Sequence, residues 1–293
     1  MIHLCESQED KALLEEVVKN KSTKYDEIFK QRNLGLLDIH SVVPSLRMTP
    51  DFIFQKVDLI MPRYYTIASS SLAYPEDLTI AISLSRYEVT LPDTGEKIMR
   101  DGLVSGYLEQ IYKSYMAAGG NGPITDTTMV FVKDSTFVMP ETHDVPIFMV
   151  GPGTGVVPFI GFMQEREKAK ADGGDSVELG SASLYFGCRQ HDVDFIYRDE
   201  MHGMKDKSII TSVNEAFSRP QEAGGVKAYV QDLLSQHRDV IKQTLLEQNG
   251  QFFVCGATTM GKAVEALLKE ALGEEAFEQV KKEKRYKCEL WSS

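Results

Sequence analysis

Residues 147–158 read IFMVGPGTGVVP, an apolar run followed at once by a glycine-rich turn and the start of a helical pattern. Backbone amides at such a helix start can hold a phosphate, and glycines let the backbone approach a ligand closely. The sixth position of the G-x-G-x-x-G pattern is Pro158, so the plain dinucleotide-binding pattern is not matched. On spacing alone, a glycine-rich turn without a ligand stays open as an alternative.

The chain on both sides of this turn alternates apolar strands with amphipathic helices. The predicted strands cover residues 147–150, 183–187, 208–213 and 252–255, and the predicted helices lie near 156–170, 194–203, 226–247 and 258–271. Strands that alternate with helices of this length are typical of a parallel sheet covered on both faces. We therefore predict a doubly wound parallel α/β domain over residues 141–293.

The first half of the chain has a different texture. Residues 1–60 are charged with a helical spacing of apolar side chains, and short helices are predicted to break at Pro44 and Pro50. From residue 63 onward β-branched and aromatic residues dominate, with predicted strands at 78–84 and 128–137, a turn at 93–95, a helix at 105–118 and a loop at 119–123. We predict a helical segment over residues 1–60 and a β domain over residues 61–140.

Composition excludes several classes of protein. The chain carries 32 Lys and Arg against 43 Asp and Glu, a net charge of −11, which argues against a nucleic-acid partner. Its longest apolar runs are too short to span a bilayer and no apolar leader opens it, so we expect no membrane segment. The four cysteines (Cys5, Cys188, Cys255 and Cys288) have no paired spacing. Free thiols, no metal site and a cytoplasmic location are the resulting expectation.

The motif Gly153-x-Gly155-x-x-Pro158 resembles the nicotinamide-domain motif of the ferredoxin–NADP reductase superfamily. Other segments follow in the order of that superfamily, namely PSLR at 44–47, RYYT at 63–66, IASSS at 67–71, LYFGCRQHDVDFIYRDE at 184–200, YVQ at 229–231 and VCG at 254–256. From about residue 2 to its end, the chain is similar to the C-terminal part of the diflavin reductases of the NADPH–cytochrome P450 reductase type. The resemblance implies a partial FAD-binding antiparallel β-barrel ahead of the α/β NADP-binding domain.

For FAD, the resemblance implies a role for each of two groups of residues. Arg63 resembles the arginine that clamps the pyrophosphate, where a planar cation suits phosphate oxygens. Tyr65 would pack on the flavin or its ribityl region. Thr66 would present its hydroxyl to the flavin N5 edge, with an ordinary strand threonine as the alternative. The remaining implied FAD contacts are Tyr64, Ala81, Ile82, Ser83 and Tyr87, with Gly102, Leu103, Val104 and Ser105 as a second pyrophosphate loop.

For the nicotinamide cofactor, the resemblance implies that basic and hydroxyl side chains hold the 2′-phosphate of NADP. Thr154 lies in the glycine turn, and the implied contacts further along the chain are Arg189, Ser218, Arg219, Lys227, Tyr229 and Gln231. Residues 220–226 form an insertion relative to the common family spacing. A solvated basic helix start is the alternative reading of this set.

Three residues resemble the family's set around hydride transfer, a step in which cofactors do the chemistry and the protein orients them. Cys255 ends an apolar strand and would lie against the nicotinamide, although a buried structural thiol is the alternative. Glu289 stands where most diflavin reductases have aspartate. Trp291, the single tryptophan, would stack on the flavin and swing aside for nicotinamide, with a core position as its alternative.

The resemblance implies an NADPH-dependent flavoprotein reductase that passes electrons from FAD, through FMN in an intact parent, to cytochrome P450 or another haem protein. A parent anchored to the membrane would place the chain at the cytosolic face of the endoplasmic reticulum. No FMN domain and no early barrel strands precede Met1 in this sequence, so a separate FMN domain is an expected partner and weak FAD retention is expected. Two alternatives remain: a catalytically silent NADP-binding fragment, and the sulfite-reductase or methionine-synthase-reductase branch.

Overall fold

The computed structural model describes residues 1–21, 23–121, 127–220 and 226–291. The chain forms two compact units, each assembled from two separate stretches of sequence. Unit 1 contains Met1–Tyr64 and Ser83–Met129, and unit 2 contains Tyr65–Ile82 and Val130–Ser293.

Unit 1 joins a helical segment to a β-hairpin and a long helix. Its helices are α1 (Gln8–Lys19), α2 (Ile39–Val42), α3 (Pro50–Lys56) and α4 (Leu103–Ala117), and the hairpin pairs β1 (Arg86–Thr90) with β2 (Lys97–Asp101). Buried Asp38 accepts hydrogen bonds from both terminal nitrogens of Arg100, at 3.1 and 2.5 Å. Because a bidentate arginine–carboxylate pair is directional, this contact fixes the hairpin to the helical segment.

Unit 2 contains a five-stranded parallel sheet in the order β5-β4-β3-β6-β7. Its strands are β3 (Ile147–Val150), β4 (Ala182–Cys188), β5 (Ser212–Phe217), β6 (Gln251–Ala257) and β7 (Tyr286–Trp291). Its helices are α5 (Val157–Gly173), α6 (Arg198–Asp206), α7 (Val230–Gln236), α8 (Arg238–Glu247), α9 (Thr258–Leu272) and α10 (Glu274–Lys282). A buried core covers each face: Ile147 and Met149 belong to one, and their neighbours Phe148 and Val150 to the other. The predicted doubly wound parallel fold is therefore confirmed.

Three of the predicted buried strands and several predicted helices are confirmed, because they depend on local apolar runs. Strand 147–150 matches β3, 183–187 lies within β4, and 252–255 lies within β6. The helices predicted near 156–170 and 258–271 correspond to α5 and α9. The turn at 93–95 and the helix at 105–118 are also present, the latter as α4.

Two predicted strands are wrong, and a third has different bounds. Residues 78–84 form no strand, and the contact there is a single antiparallel bridge between Ile67 and Ile80. Residues 128–137 belong to no strand, and Met129 is fully exposed. The strand predicted at 208–213 begins only at Ser212, because Ser208 has a left-handed φ of 59° that turns the chain. A segment of alternating apolar residues forms a strand only where a neighbouring strand supplies hydrogen bonds.

Two predicted helices have different bounds. The helix expected from residue 194 begins at Arg198, since Tyr197 before it has a φ of 56°. The helix expected over 226–247 is two helices, α7 and α8, separated at His237. The sequence pattern does not predict α10 or the edge strand β7. The loop predicted at 119–123 lies partly outside the described residues.

The glycine turn after β3 lies directly against the end of β6. A Cβ on Gly155 would be 2.1 Å from the Cys255 carbonyl oxygen, and a Cβ on Gly151 would be 2.4 Å from the Gly155 carbonyl oxygen. Gly153 has a left-handed φ of 55° with open space around its Cβ position. These glycines are needed for close backbone approach and for the turn itself.

We expect Gly155→Ala to lower the free energy of unfolding by at least about 2 kcal/mol, because the new methyl group must displace the backbone of β6. The matched control is Gly203→Ala in α6, where a Cβ meets no atom within 4 Å. That substitution is expected to stabilise the helix by up to about 1 kcal/mol. Urea unfolding followed by circular dichroism measures both, and equal midpoints for the two variants would contradict the close approach.

Candidate functional site

The carboxyl edge of the parallel sheet is the position where ligands bind in folds of this type. The strand order is β5-β4-β3-β6-β7, so the chain passes from β3 to β4 and β5 on one side and then returns to β6 and β7 on the other. The topological switch point therefore lies between β3 and β6. In open α/β sheets the ligand crevice lies outside the carboxyl ends of the strands at that point. Here the turn Gly151–Gly155 meets Cys255 and Gly256. Thr154, predicted to contact NADP, lies in this turn and is half-buried.

Thr66 and Glu289 come together in unit 2 although they are 223 residues apart in sequence. The Thr66 hydroxyl donates to Glu289 Oε2 at 3.2 Å. The other carboxylate oxygen, Oε1, accepts a hydrogen bond from the Ser135 hydroxyl at 3.0 Å. The carboxylate is thus held between two hydroxyl donors.

Cys255 lies on β6 opposite Glu289 on β7 in the parallel register. Its thiol is fully buried in the core on the side of α5. Burial, and secondarily the charge of Glu289, raises the pKa of Cys255 to about 12. The thiol is therefore neutral near pH 7 and contributes an apolar, polarisable surface.

Trp291 ends β7, where it lies opposite Ala257 of β6. Its side chain is 40% exposed. The core position that was left open as an alternative therefore does not describe this indole. An exposed ring at the carboxyl edge of the sheet is available for stacking on a planar ligand.

The side chains predicted to hold the 2′-phosphate follow β4 and β5 at the same edge of the sheet. Ser218 and Arg219 extend β5 alongside β4: the Arg219 amide donates to the Arg189 carbonyl at 2.8 Å, and the Ser218 amide donates to the Cys188 carbonyl at 3.0 Å. Arg189 itself is held by Asp194, which accepts from its Nε at 3.0 Å. The structure thereby brings two arginines and a serine together.

The remainder of that predicted set lies at the start of α7. The Lys227 ammonium is 5.1 Å from the centroid of the Tyr229 ring, a cation–π geometry. Gln231 is in the first turn of α7. Of the insertion at 220–226, residues 221–225, including Gly224 and Gly225, lie outside the described residues.

The predicted FAD residues are divided between the two units. Unit 1 contains Arg63, Tyr64, Ser83, Tyr87, Gly102, Leu103, Val104 and Ser105, and unit 2 contains Tyr65, Thr66, Ala81 and Ile82. In unit 1, Arg63 is exposed and donates to the Met61 carbonyl at 2.5 Å, and the Tyr64 ring is 67% exposed. A cation and an exposed aromatic residue at consecutive positions suit a ligand that carries both phosphate and a flat ring.

The second predicted pyrophosphate loop precedes α4. Gly102 donates its amide to the Ser85 carbonyl at 2.7 Å, and a Cβ on Gly102 would lie 2.8 Å from Ser85 Cβ. The Ser105 hydroxyl is buried and accepts the Ser85 amide at 3.1 Å. Ser105 is therefore used to fix the loop, which leaves the backbone at the start of α4 as the group suited to an anion.

Gln164 is a positioning residue that the sequence analysis missed. In unit 2 the segment carrying Tyr65 and Thr66 packs on α5, where a Cβ on Gly161 would lie 3.5 Å from the Ser69 backbone. The amide of buried Ser70 donates to Gln164 Oε1 at 3.0 Å. Neither Gln164 nor Ser135 was predicted as a site residue, and the tertiary contact identifies them.

The described residues include no helix long and apolar enough to cross a membrane. The cysteines Cys5, Cys188, Cys255 and Cys288 are all free thiols.

We expect native alkylation to distinguish Cys255 from Cys288. Cys288 is exposed on β7, whereas Cys255 is fully buried with its pKa raised to about 12. Because the thiolate reacts and must be accessible, iodoacetamide at mildly alkaline pH should modify Cys288 well before Cys255. Peptide mass spectrometry over a time course measures the two rates. Modification of Cys255 as fast as Cys288 would contradict the closed environment described for Cys255.

Comparison with known proteins gives two domain matches. Residues 1–107 match the family described as FAD binding domain, and residues 149–266 match the family described as Oxidoreductase NAD-binding domain. The second match begins within β3 and includes the glycine turn.

Known relatives include reductases of two kinds. The chain is 31% identical over 312 residues to a methionine synthase reductase of Mus musculus, covering 99% of this chain and 44% of that protein. It is 33% identical over 303 residues to an NADPH–cytochrome P450 reductase of Musca domestica, covering 98% of this chain and 42% of that protein. The bovine NADPH–cytochrome P450 reductase is 34% identical over 268 residues, covering 88% and 37%. The chain thus spans less than half the length of these relatives.

Proposed function

Because the chain belongs to the diflavin reductase family, with an FAD binding domain followed by an NAD-binding domain, we propose that it is the oxidoreductase part that moves hydride from NADPH to FAD. The observation that carries this proposal is the hydrogen bond between Thr66 and Glu289. It joins the segment implied to meet the flavin to the edge of the nicotinamide-binding sheet. Thr66 contributes a hydroxyl and Glu289 a fixed negative charge.

The binding roles follow from chemistry at the carboxyl edge of the sheet. Arg189, Ser218, Arg219, Lys227 and Tyr229 supply three cations and two hydroxyls, a set that suits the 2′-phosphate which distinguishes NADPH from NADH. Thr154 and the turn around it suit the pyrophosphate. We assign Arg63 and the backbone at Gly102 to the FAD pyrophosphate, and Tyr65 and Trp291 to the planar rings.

When bound, the nicotinamide supplies a hydride and the flavin accepts it. The chain's own contribution is orientation and electrostatics. Because the Thr66 hydroxyl donates its hydrogen bond to Glu289, the Thr66 oxygen keeps its lone pairs to accept a hydrogen bond from a donor on the flavin edge. The Glu289 carboxylate favours the positive charge that develops on the nicotinamide ring as it is oxidised. The buried, neutral Cys255 keeps water from this side of the site.

We propose functional boundaries at 1–60 for the helical connecting segment, 61–140 for the FAD-binding part and 141–293 for the NADP-binding domain. The segment 65–82 packs within unit 2, on α5. That placement supports a division of labour in which residues implied in flavin binding are anchored on the nicotinamide-binding fold.

For the electron acceptor we propose a haem protein of the cytochrome P450 class, reached through an FMN domain on the same or a separate chain. An acceptor of the methionine-synthase type is the second candidate, and relatives named for each acceptor match this chain almost end to end. A cytoplasmic location, at the endoplasmic reticulum surface for an anchored parent, goes with the first candidate. A silent NADP-binding fragment is the remaining alternative, and the flavin content of the purified chain discriminates it.

We expect the purified chain, reconstituted with FAD, to lose the visible absorption of oxidised flavin when NADPH is added without oxygen. Glu289→Gln should slow this single-turnover step by about tenfold or more, because the fixed charge is removed. The matched control is Glu275→Gln, an exposed position in the first turn of α10, which should leave the rate unchanged. A flavin-loaded chain that NADPH does not bleach would refute the proposed activity.

We expect Lys227→Ala to weaken the binding of NADPH but not that of NADH. Loss of one charge-assisted contact to the 2′-phosphate should raise the KM for NADPH by about tenfold and leave the KM for NADH unchanged. Lys282→Ala is the matched control, since this exposed lysine ends α10 and precedes β7 at the amino edge of the sheet. A parallel rise in both KM values would show that Lys227 does not read the 2′-phosphate.

A further inference from the structure

Ser135 connects the predicted hydride-transfer residues to the core of unit 2. Its hydroxyl accepts the amide of Phe137 at 2.9 Å. Phe137 is buried and packs against the rings of Phe159, Phe162 and Phe253, with centroid distances of 5.9, 5.9 and 5.4 Å. The position of Ser135 is therefore fixed by an aromatic cluster, even though the serine itself is exposed.

The Ser135 hydroxyl donates a hydrogen bond to Glu289 Oε1 at 3.0 Å. Thr66 donates to the second oxygen, Oε2, at 3.2 Å. Each carboxylate oxygen thus accepts one hydroxyl, and the plane of the carboxylate is set by two fixed points. A glutamate side chain has considerable rotamer freedom, which must be restricted to hold its carboxylate in one orientation. One donor alone would leave the carboxylate free to rotate around that contact.

We propose that Ser135 is a positioning residue for hydride transfer. It holds the Glu289 carboxylate in the orientation in which that group accepts the hydrogen bond from the Thr66 hydroxyl. The inference rests on the function proposed above. Ser135 acts through Glu289 and touches neither cofactor in this role. Its effect passes to Thr66, because a carboxylate that cannot rotate directs the Thr66 hydroxyl proton and leaves the lone pairs of that oxygen in a fixed direction.

The kinetic test compares Ser135→Ala with Ser135→Thr, which keeps the hydroxyl. We expect Ser135→Ala to slow single-turnover reduction of bound FAD by NADPH about threefold to tenfold, with the KM for NADPH unchanged, and Ser135→Thr to restore the rate. Ser235→Ala is the matched control, since its hydroxyl donates to the Asp232 carbonyl within α7. A Ser135→Ala rate equal to that of the original chain would overturn the proposal.

A double-mutant cycle separates positioning from simple support of Phe137. If Ser135 acts through Glu289, Ser135→Ala should add almost nothing to the loss already caused by Glu289→Gln. If the serine only supports the aromatic cluster, the two losses should multiply, and the proposal is then wrong. Circular dichroism and the flavin content of each variant establish that the chains compared are folded and loaded.

A measurement independent of turnover follows the Glu289 carboxylate itself. In protein labelled with carboxyl-¹³C glutamate, the Glu289 resonance is the one that disappears in Glu289→Gln. Because Ser135→Ala removes one of the two hydrogen bonds that hold this carboxylate, it should shift the resonance, and Ser135→Thr should return it to its original position. An identical resonance in the original chain and Ser135→Ala would overturn the proposal even if NADPH fails to reduce the flavin.

Discussion

The contact between Gly155 and the carbonyl oxygen of Cys255 joins the glycine turn after β3 to the end of β6. The backbones approach so closely that a side chain of even one carbon would lie 2.1 Å from that oxygen. Since β3 and β6 flank the point where the sheet changes direction, this contact sets the geometry of the edge at which a ligand binds. Cys255 itself, its strand partner Glu289 and the glycine turn all lie next to this contact.

The opposite edge of the sheet is fixed by a single buried guanidinium. Arg166 of α5 donates to the carbonyl oxygens of His143, Gly180 and Ile209, which lie before β3, β4 and β5. Burial lowers the pKa of Arg166 to about 10, and backbone carbonyls are the partners that compensate the buried charge. One side chain thus aligns the entries of three strands, which leaves the carboxyl edge for binding and chemistry.

The proposed hydride-transfer site draws on four distant parts of the sequence. The hydroxyls of Thr66 and Ser135 both donate to the Glu289 carboxylate, and Cys255 is paired with Glu289 on the neighbouring strand. Two of the contacts are hydroxyl–carboxylate hydrogen bonds, each worth only about 1 to 3 kcal/mol, so the site depends on the scaffold that brings the segments together. The hydrogen bond from the Ser70 amide to Gln164 and the packing of Phe137 in its aromatic cluster provide that scaffold.

The sequence by itself determined the α/β class, the buried strands β3, β4 and β6, the helices α5 and α9, and the motif residues of the candidate site. Those features depend on local apolar runs and on glycine spacing, which are visible within about ten residues. Tertiary structure alone decided that residues 78–84 and 128–137 form no strands, that β7 is the edge strand carrying Glu289, and that Ser135 meets that carboxylate across 154 residues of chain. The physical reason is that a ladder and a hydroxyl–carboxylate contact each need a partner from a distant segment, and no local pattern specifies which segment arrives.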